Sequence, residues 1–459
     1  MKLLIKFALP LALMCAMQSQ AELPELGDPT LQSFSTKEET ELGQAFYHAL
    51  RASLEFVDDL QLEHYIKSLG QRLVTHSDAP GKNFRFFIIN SDVINAFAGP
   101  DAYIGIHSGL LKMASNESQL ASVMAHEISH VSQRHIARAV DRSGTAAAAS
   151  FATILAAILV SSQDSQAGQA VLFSGIAGAQ QASLNFTRQN EYEADRVGIS
   201  ILARAGINPS GMVEFFEFLL SQSQASDLEY LRTHPLNENR VSEARNRIAA
   251  DQFKLPKDSD DFKFARARLA VLTSRQPELF ISKNAGASDI FSLYQQAVAQ
   301  IKTSHSELAI PILEKLAGKH NHPWIKLALA EAYQDDNQPT KALSVLEQLA
   351  NFYPGYMPVS LSYARALTHN NQSQKSIGLL KHQLQYDDDA SIHQELARAY
   401  YINGQTAAAL ESTGNQYLRE GYTELAIQQY ENALQQPSIS ETSRQRLTTR
   451  KDKLKEKIQ

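Results

Sequence analysis

Apolar residues recur at helical spacing along most of this chain, and only two short stretches alternate in the manner of a strand. Leu42, Phe46, Ala49 and Leu50 make one apolar stripe, with Ser35 and Glu38 placed as a capping box ahead of it. A second helix is expected from Leu60 to Val74. Phe84 to Asn90 then alternates and is rich in aromatic and β-branched residues, which predicts a strand. Asn95-Ala96-Phe97-Ala98-Gly99-Pro100 reads as a loop feeding a further strand at Tyr103-Ile104-Gly105-Ile106. From Asn116 a helix follows whose buried face is Leu120, Val123, Met124 and Ile128. Asn116 and Gln119 suit a variant capping box, and Gly144 marks a stop.

Past that helix the pattern changes. Two long uncharged stretches, Ser143 to Gln163 and Ser165 to Thr187, flank Asp164. Ala152 to Val160 is strongly apolar, while Ala, Gly, Ser and Gln dilute the remainder. An apolar helical hairpin packed over the core is the reading these stretches favour; shallow membrane contact or a mobile lid is the alternative. A helix resumes at Arg188 and continues through Ile199 and Leu202. A charged stretch at Lys254 to Asp261 and a short helix at Phe262 to Leu272 lead to a polar linker, Thr273 to Ser288.

An internal repeat of about 34 residues occupies the rest. Small residues recur at Ala297, Ala330, Ala364 and Ala397 and again at Ala309, Ala342, Ser376 and Ala409. Leu313, Leu346, Leu380 and Thr413 form a third column. This period is that of tetratricopeptide helix pairs, whose stacking makes a binding surface and performs no chemistry. Tyr417, Ala426, Tyr430 and Ala433 read as a continuation out of register. The fold class is thus mainly α: an α+β domain with a small sheet, then an α-solenoid. The expected boundaries are a leader at 1–21, a first domain at 22–272, a linker at 273–288 and the repeats at 289–459.

Composition sharpens this in two ways. Lys2 and Lys6, the apolar run Phe7 to Met17 and Ser19-Gln20-Ala21 fit a signal peptide cleaved near Ala21, which implies export and, in a bacterial setting, the periplasm. Cys15 is the only cysteine of the 459 residues, so the mature chain has neither disulfides nor thiolate ligands. The formal charge of −6 becomes more negative once the leader's two lysines are removed, which disfavours a nucleic-acid partner.

The candidate chemistry lies in His126-Glu127-Ile128-Ser129-His130, an HExxH motif within the helix that starts at Asn116. Histidines four apart leave a helix about 40° from each other and one turn apart, so they can share one divalent ion, zinc above all. Glu127 then stands where it can take a proton from water. Downstream, Asn190-Glu191-Tyr192-Glu193-Ala194-Asp195 offers Glu191 and Asp195 on one face. Glu191 is the natural third ligand, and Asp195 is free to accept a hydrogen bond from a ligating imidazole. Glu193 points about 200° away from Glu191. His135 is discounted as a ligand, because on a continuous helix it lies about 140° around from His130.

With these residues the first half resembles the M48 peptidases, a zinc metallopeptidase family. The supporting matches are Asn95-Ala96-Phe97-Ala98 and Thr233-His234-Pro235 followed by Arg240. The resemblance implies one zinc per chain on His126, His130 and Glu191, Glu127 as base, and Asp195 orienting a ligand histidine. It also places His234 near the metal, either stabilising the oxyanion or filling the fourth position and holding the enzyme off; local packing is the third reading. Arg240 contacts substrate or pairs with an acid. Where relatives carry Pro-Gly-Gly this chain has Pro100-Asp101-Ala102, which leaves the shape of that loop open.

An exported M48 domain joined to such repeats is similar to the β-barrel assembly-enhancing protease family of Gram-negative periplasms. That similarity implies endopeptidase action on misassembled outer-membrane proteins, with the repeats contacting the assembly machinery. A chaperone or docking adaptor with restrained catalysis is the alternative.

Overall fold

The computed structural model describes residues 36–138, 188–223, 228–250 and 259–458. The expected leader, the 143–187 hairpin and most of the charged stretch at 254–261 lie outside those residues. Among the described residues, no helix is long and apolar enough to cross a membrane.

The first apolar stripe folds as α1 (Thr36–Ser53) and the second as α2 (Leu60–Thr75). Asp59 starts α2 by accepting the Leu62 N–H at 3.1 Å. Strands β1 (Arg85–Ile89), β2 (Ala96–Ala98) and β3 (Tyr103–His107) form a sheet in the order β1-β3-β2. β3 runs parallel to β1 and antiparallel to β2, with Ala96 opposite Ile106. β2 stands where a loop was expected. Three residues are too few to show an alternating pattern, and the strand is secured from outside by Phe97, which meets the rings of Phe46 and Phe87 edge-on.

The loop after β2 takes a definite shape. Asp101 and Ala102 have φ of 54° and 60°, the left-handed region that glycine enters freely. Arg85 and Thr40 hold the Asp101 carboxylate at 3.0 and 3.3 Å.

Next come α3 (Ser108–Met113) and α4 (Glu117–Ser132), the motif helix. Asn116 caps α4 through the Gln119 N–H, but Gln119 returns its own bond to Ser115, one residue earlier than a capping box requires. α4 also stops at Ser132, well before Gly144. Arg134 takes φ of 52°, and the chain turns into a separate helical turn at 135–138.

α5 (Arg188–Arg204), α6 (Ser210–Ser223), α7 (Glu229–Thr233), α8 (Glu238–Ala250) and α9 (Asp260–Leu272) complete the first half. α5 crosses α4 at Gly198, where a Cβ would lie 3.4 Å from both Ala125 C and His126 N. That close approach brings Glu191 and Asp195 to the motif histidines. A short exposed helix, α10 (Glu278–Lys283), begins after Pro277 within the stretch expected as a linker.

The repeats are helix pairs. α11 (Ile290–Lys302) pairs with α12 (Ser306–Lys319), α13 (Pro323–Asp335) with α14 (Pro339–Phe352), and α15 (Met357–His369) with α16 (Ser373–Gln383). α17 (Ala390–Ile402) pairs with α18 (Thr406–Glu420), and α19 (Thr423–Leu434) is followed by α20 (Glu441–Ile458). Positive φ recurs at the turn within each of the first four pairs, at Ser304, Asn337, Asn371 and Gly404. The three residue columns are buried except at Ala397 and Thr413. The last unit is in register after all, α19 starting 33 residues after α17. Tyr430 occupies its small-residue position, and Gly414 makes the room: a Cβ there would lie 2.4 Å from the Tyr430 ring.

One apolar cluster runs through Val57, Ile104, Met124, Ile199, Phe264, Tyr294, Trp324 and on to Ala342. Buried Arg268 adds a polar tie, donating to Asp59 at 2.7 Å and Glu331 at 3.0 Å. Lys67 reaches Asp389 at 2.8 Å. Between α2 and the helices α13, α15 and α17 lies a cleft of about 800 Å³, lined by Glu63, Lys67, Arg268, Arg365 and Asp389.

Candidate metal centre

α4 and α5 bring the site together, and α7 and α8 close it. His126, Glu127, His130, Glu191, His234 and Arg240 are each no more than 2% exposed. One ligand atom each from His126, His130, Glu191 and His234 lies within 4.8 Å of the others. The Nε2 atoms of His126 and His130 are 2.9 Å apart, and each is 3.5 Å from a Glu191 oxygen. His234 Nδ1 is 3.3 Å from both His126 Nε2 and Glu191 Oε1. Tetrahedral zinc with bonds of about 2.0–2.1 Å sets its ligand atoms about 3.3 Å apart, so the spacing suits that ion.

Charge agrees with geometry. Glu127, Glu191 and Asp195 are three buried carboxylates, and Arg240 is the guanidinium set among them. With neutral imidazoles the cluster carries an excess of negative charge that a divalent cation balances. Burial disfavours a charged His126 ring, yet Asp195 and Glu191 outweigh it and push this group up to about 10. Burial and the neighbouring His126 drive His130 well below the ordinary histidine range. Burial also opposes ionisation of Glu191, but His234 and His126 hold its carboxyl well below the usual carboxylate range.

Glu127 is set apart from these four. Burial raises its carboxyl above the ordinary range against the pull of His234 and His126. The Ala98 N–H of edge strand β2 bonds to it, and its Oε1 lies 3.4 Å from His234 Nε2. A carboxylate that binds protons readily beside a ligand cluster suits a base.

The supports come next. His126 Nδ1 donates to Asp195 Oδ1 at 3.0 Å. Arg240 forks onto both Asp195 oxygens at 2.7 and 2.8 Å and reaches Glu191 Oε2 at 2.9 Å. Of the two readings for Arg240, this geometry is that of pairing with acids. Tyr230 stacks on His234 with ring centroids 4.8 Å apart.

His135 lies outside the ligand set, but not for the reason the spacing suggested. The helix ends before it, and the turn at Arg134 swings it back so that its Nδ1 is 2.7 Å from His130 Nδ1. Its Nε2 is 3.2 Å from Glu193 Oε2, which also accepts from Arg138 at 2.7 Å. Sequence reasoning missed His135, Glu193 and Tyr230 as supports. The only available signal was a histidine shortly after the motif.

The profile described as peptidase family M48 matches residues 60–248. A beta-barrel assembly-enhancing protease of Escherichia coli (strain K12) is 32% identical over 445 residues, covering 95% of this chain and 91% of that one. The protein of the same name from Yersinia pestis is also 32% identical, covering 95% and 92%. A mitochondrial metalloendopeptidase OMA1 of Arabidopsis thaliana is 26% identical over 188 residues, 40% of this chain and 36% of that one.

Proposed function

The chain belongs to peptidase family M48 and is a metalloendopeptidase, and from that premise we propose that it is an exported zinc enzyme acting on outer-membrane β-barrel proteins in the periplasm. The observation that carries the catalytic part is the convergence of His126, His130, Glu191 and His234, with Glu127 beside them. His126, His130 and Glu191 hold the ion. When bound, zinc supplies Lewis acidity that polarises a peptide carbonyl and acidifies water.

Glu127 takes the proton of the attacking water at its carboxylate and returns it to the leaving amide nitrogen. The Ala98 N–H fixes where that carboxylate points. At the edge of the sheet among the described residues, β2 suits an extended peptide laid alongside the site. Asp195 and Arg240 keep His126 in one orientation.

A role in β-barrel assembly rests on the name these relatives carry; the outer-membrane substrate and the assembly machinery as partner are what the resemblance implies. The helix pairs supply the docking surface such partners need. Export rests on the leader-like residues 1–21.

Glu127→Gln tests the reading directly. Cleavage of an unfolded protein substrate should fall by about 10²–10⁴-fold while zinc is retained. Retained cleavage would remove Glu127 from its role.

His234 supports a second reading, a docking adaptor whose protease is restrained. Its Nδ1 stands at the fourth corner of the ligand set. If it holds the enzyme off, His234→Ala raises cleavage; if it stabilises the oxyanion, the same change lowers it.

A further inference from the structure

We infer that His135 and Glu193 form a positioning arm for His130, selecting the tautomer in which it ligates; the inference rests on the reading of His130 as a metal ligand. His135 is fully buried, and its ring meets that of His130 at 76° with centroids 4.8 Å apart. Two imidazole nitrogens 2.7 Å apart share a single proton, so one ring donates and the other accepts.

Only one direction serves a ligand. When His130 coordinates through Nε2, its proton sits on Nδ1 and is donated to His135 Nδ1. The His135 proton is then on Nε2, where Glu193 Oε2 accepts it at 3.2 Å. The reverse direction puts a proton on His130 Nε2, the atom 2.9 Å from His126 Nε2, and turns a bare His135 Nε2 toward the Glu193 carboxylate. Glu193 therefore decides the tautomer two rings away. Arg138, 2.7 Å from the same oxygen, keeps Glu193 an anion.

The arrangement mirrors the other side of the site. Asp195, backed by Arg240, holds His126 directly. Glu193, backed by Arg138, holds His130 through an intervening histidine. Both carboxylates come from α5, two residues apart, so that one helix orients both motif histidines from opposite sides.

The test uses the full chain stripped of metal and titrated with zinc against a chromogenic chelator. His135→Ala should weaken zinc binding about 10–100-fold, the range typical for loss of such a partner. Glu193→Ala, which removes the acceptor, should weaken it less, and the double variant should bind no more weakly than His135→Ala alone. His135→Gln, whose amide oxygen can accept from His130 Nδ1, should recover part of the loss. The visible bands of the Co²⁺-loaded His135→Ala protein should shift from those of the wild type.

Zinc affinity of His135→Ala within twofold of wild type, with unchanged Co²⁺ bands, overturns the inference, as does a fully additive double variant. Should His135→Ala fail to fold, Glu193→Ala decides alone, since that side chain is 26% exposed and its truncation removes the acceptor without opening a buried cavity; unchanged zinc affinity there counts against the arm. His130→Ala separates the two levels. If it binds zinc as the wild type does, the site reading itself falls; if it loses zinc while His135→Ala does not, only the arm falls.

Discussion

Arg240 spends every nitrogen on the site: Nε and Nη2 on Asp195, Nη1 on Glu191 and on the Pro235 carbonyl 2.8 Å away. A buried cation so placed lets Asp195 stay ionised beside His126, which burial alone would resist. Residue-level electrostatics also predict the acid response of the fold. Burial drives His107, at the end of β3, down to about 4. The unfolded chain titrates this ring near the ordinary value of about 6.5, so between about 6.5 and 4 the unfolded state binds more protons. Stability contributed by a neutral His107 is complete above that window and is lost as pH falls through it. The melting temperature of His107→Gln should therefore depend less steeply on pH between 6.5 and 4 than that of the wild type. Equal slopes would show that His107 is not the group involved.

At the scale of elements, the crossing of α4 and α5 sets the site. Gly198 permits it, with Met212 Cε only 3.1 Å from where a Cβ would stand. Gly198→Val should push α5 away from the motif helix. The expected cost is about 1–3 kcal/mol in urea denaturation, together with weaker zinc binding as Glu191 and Asp195 are displaced. Weaker zinc binding at unchanged stability, or neither change, would contradict that account. These helices were legible in the sequence because HExxH and Glu191-to-Asp195 obey the same helical spacing. β2 was not, since three residues carry no period and its strand character comes from Phe97 meeting distant rings. Nor was the end of α4, where no glycine or proline marks the turn and Arg134 itself takes the left-handed conformation. The support from His135 depends on that turn, so a spacing argument that assumed a continuous helix could not find it. The register of the last repeat was hidden by a paired exchange, Tyr430 large where others are small and Gly414 small to admit it.

Across the whole molecule, the apolar cluster from Val57 to Ala342 joins the catalytic half to the first two helix pairs. Arg268, bonded to Asp59 and Glu331, closes the same seam. Trp324, the only tryptophan of the chain, is buried in α13 and donates to Asp261 at 2.9 Å. Its fluorescence thus reports on the repeats and their seam with the first half, while zinc release reports on the centre. In urea the two signals should change together in one transition. Release of zinc well before the tryptophan signal would mean that the halves unfold separately.

The most direct check on the centre compares zinc binding by the full chain with that of two single-carboxylate variants. Glu127→Gln should bind one zinc per chain as tightly as the wild type. Glu191→Gln should bind it more weakly by more than the roughly 100-fold that loss of an outer partner costs at most. Wild-type affinity in Glu191→Gln, or loss of zinc in Glu127→Gln, would contradict the assignment of ligand and base.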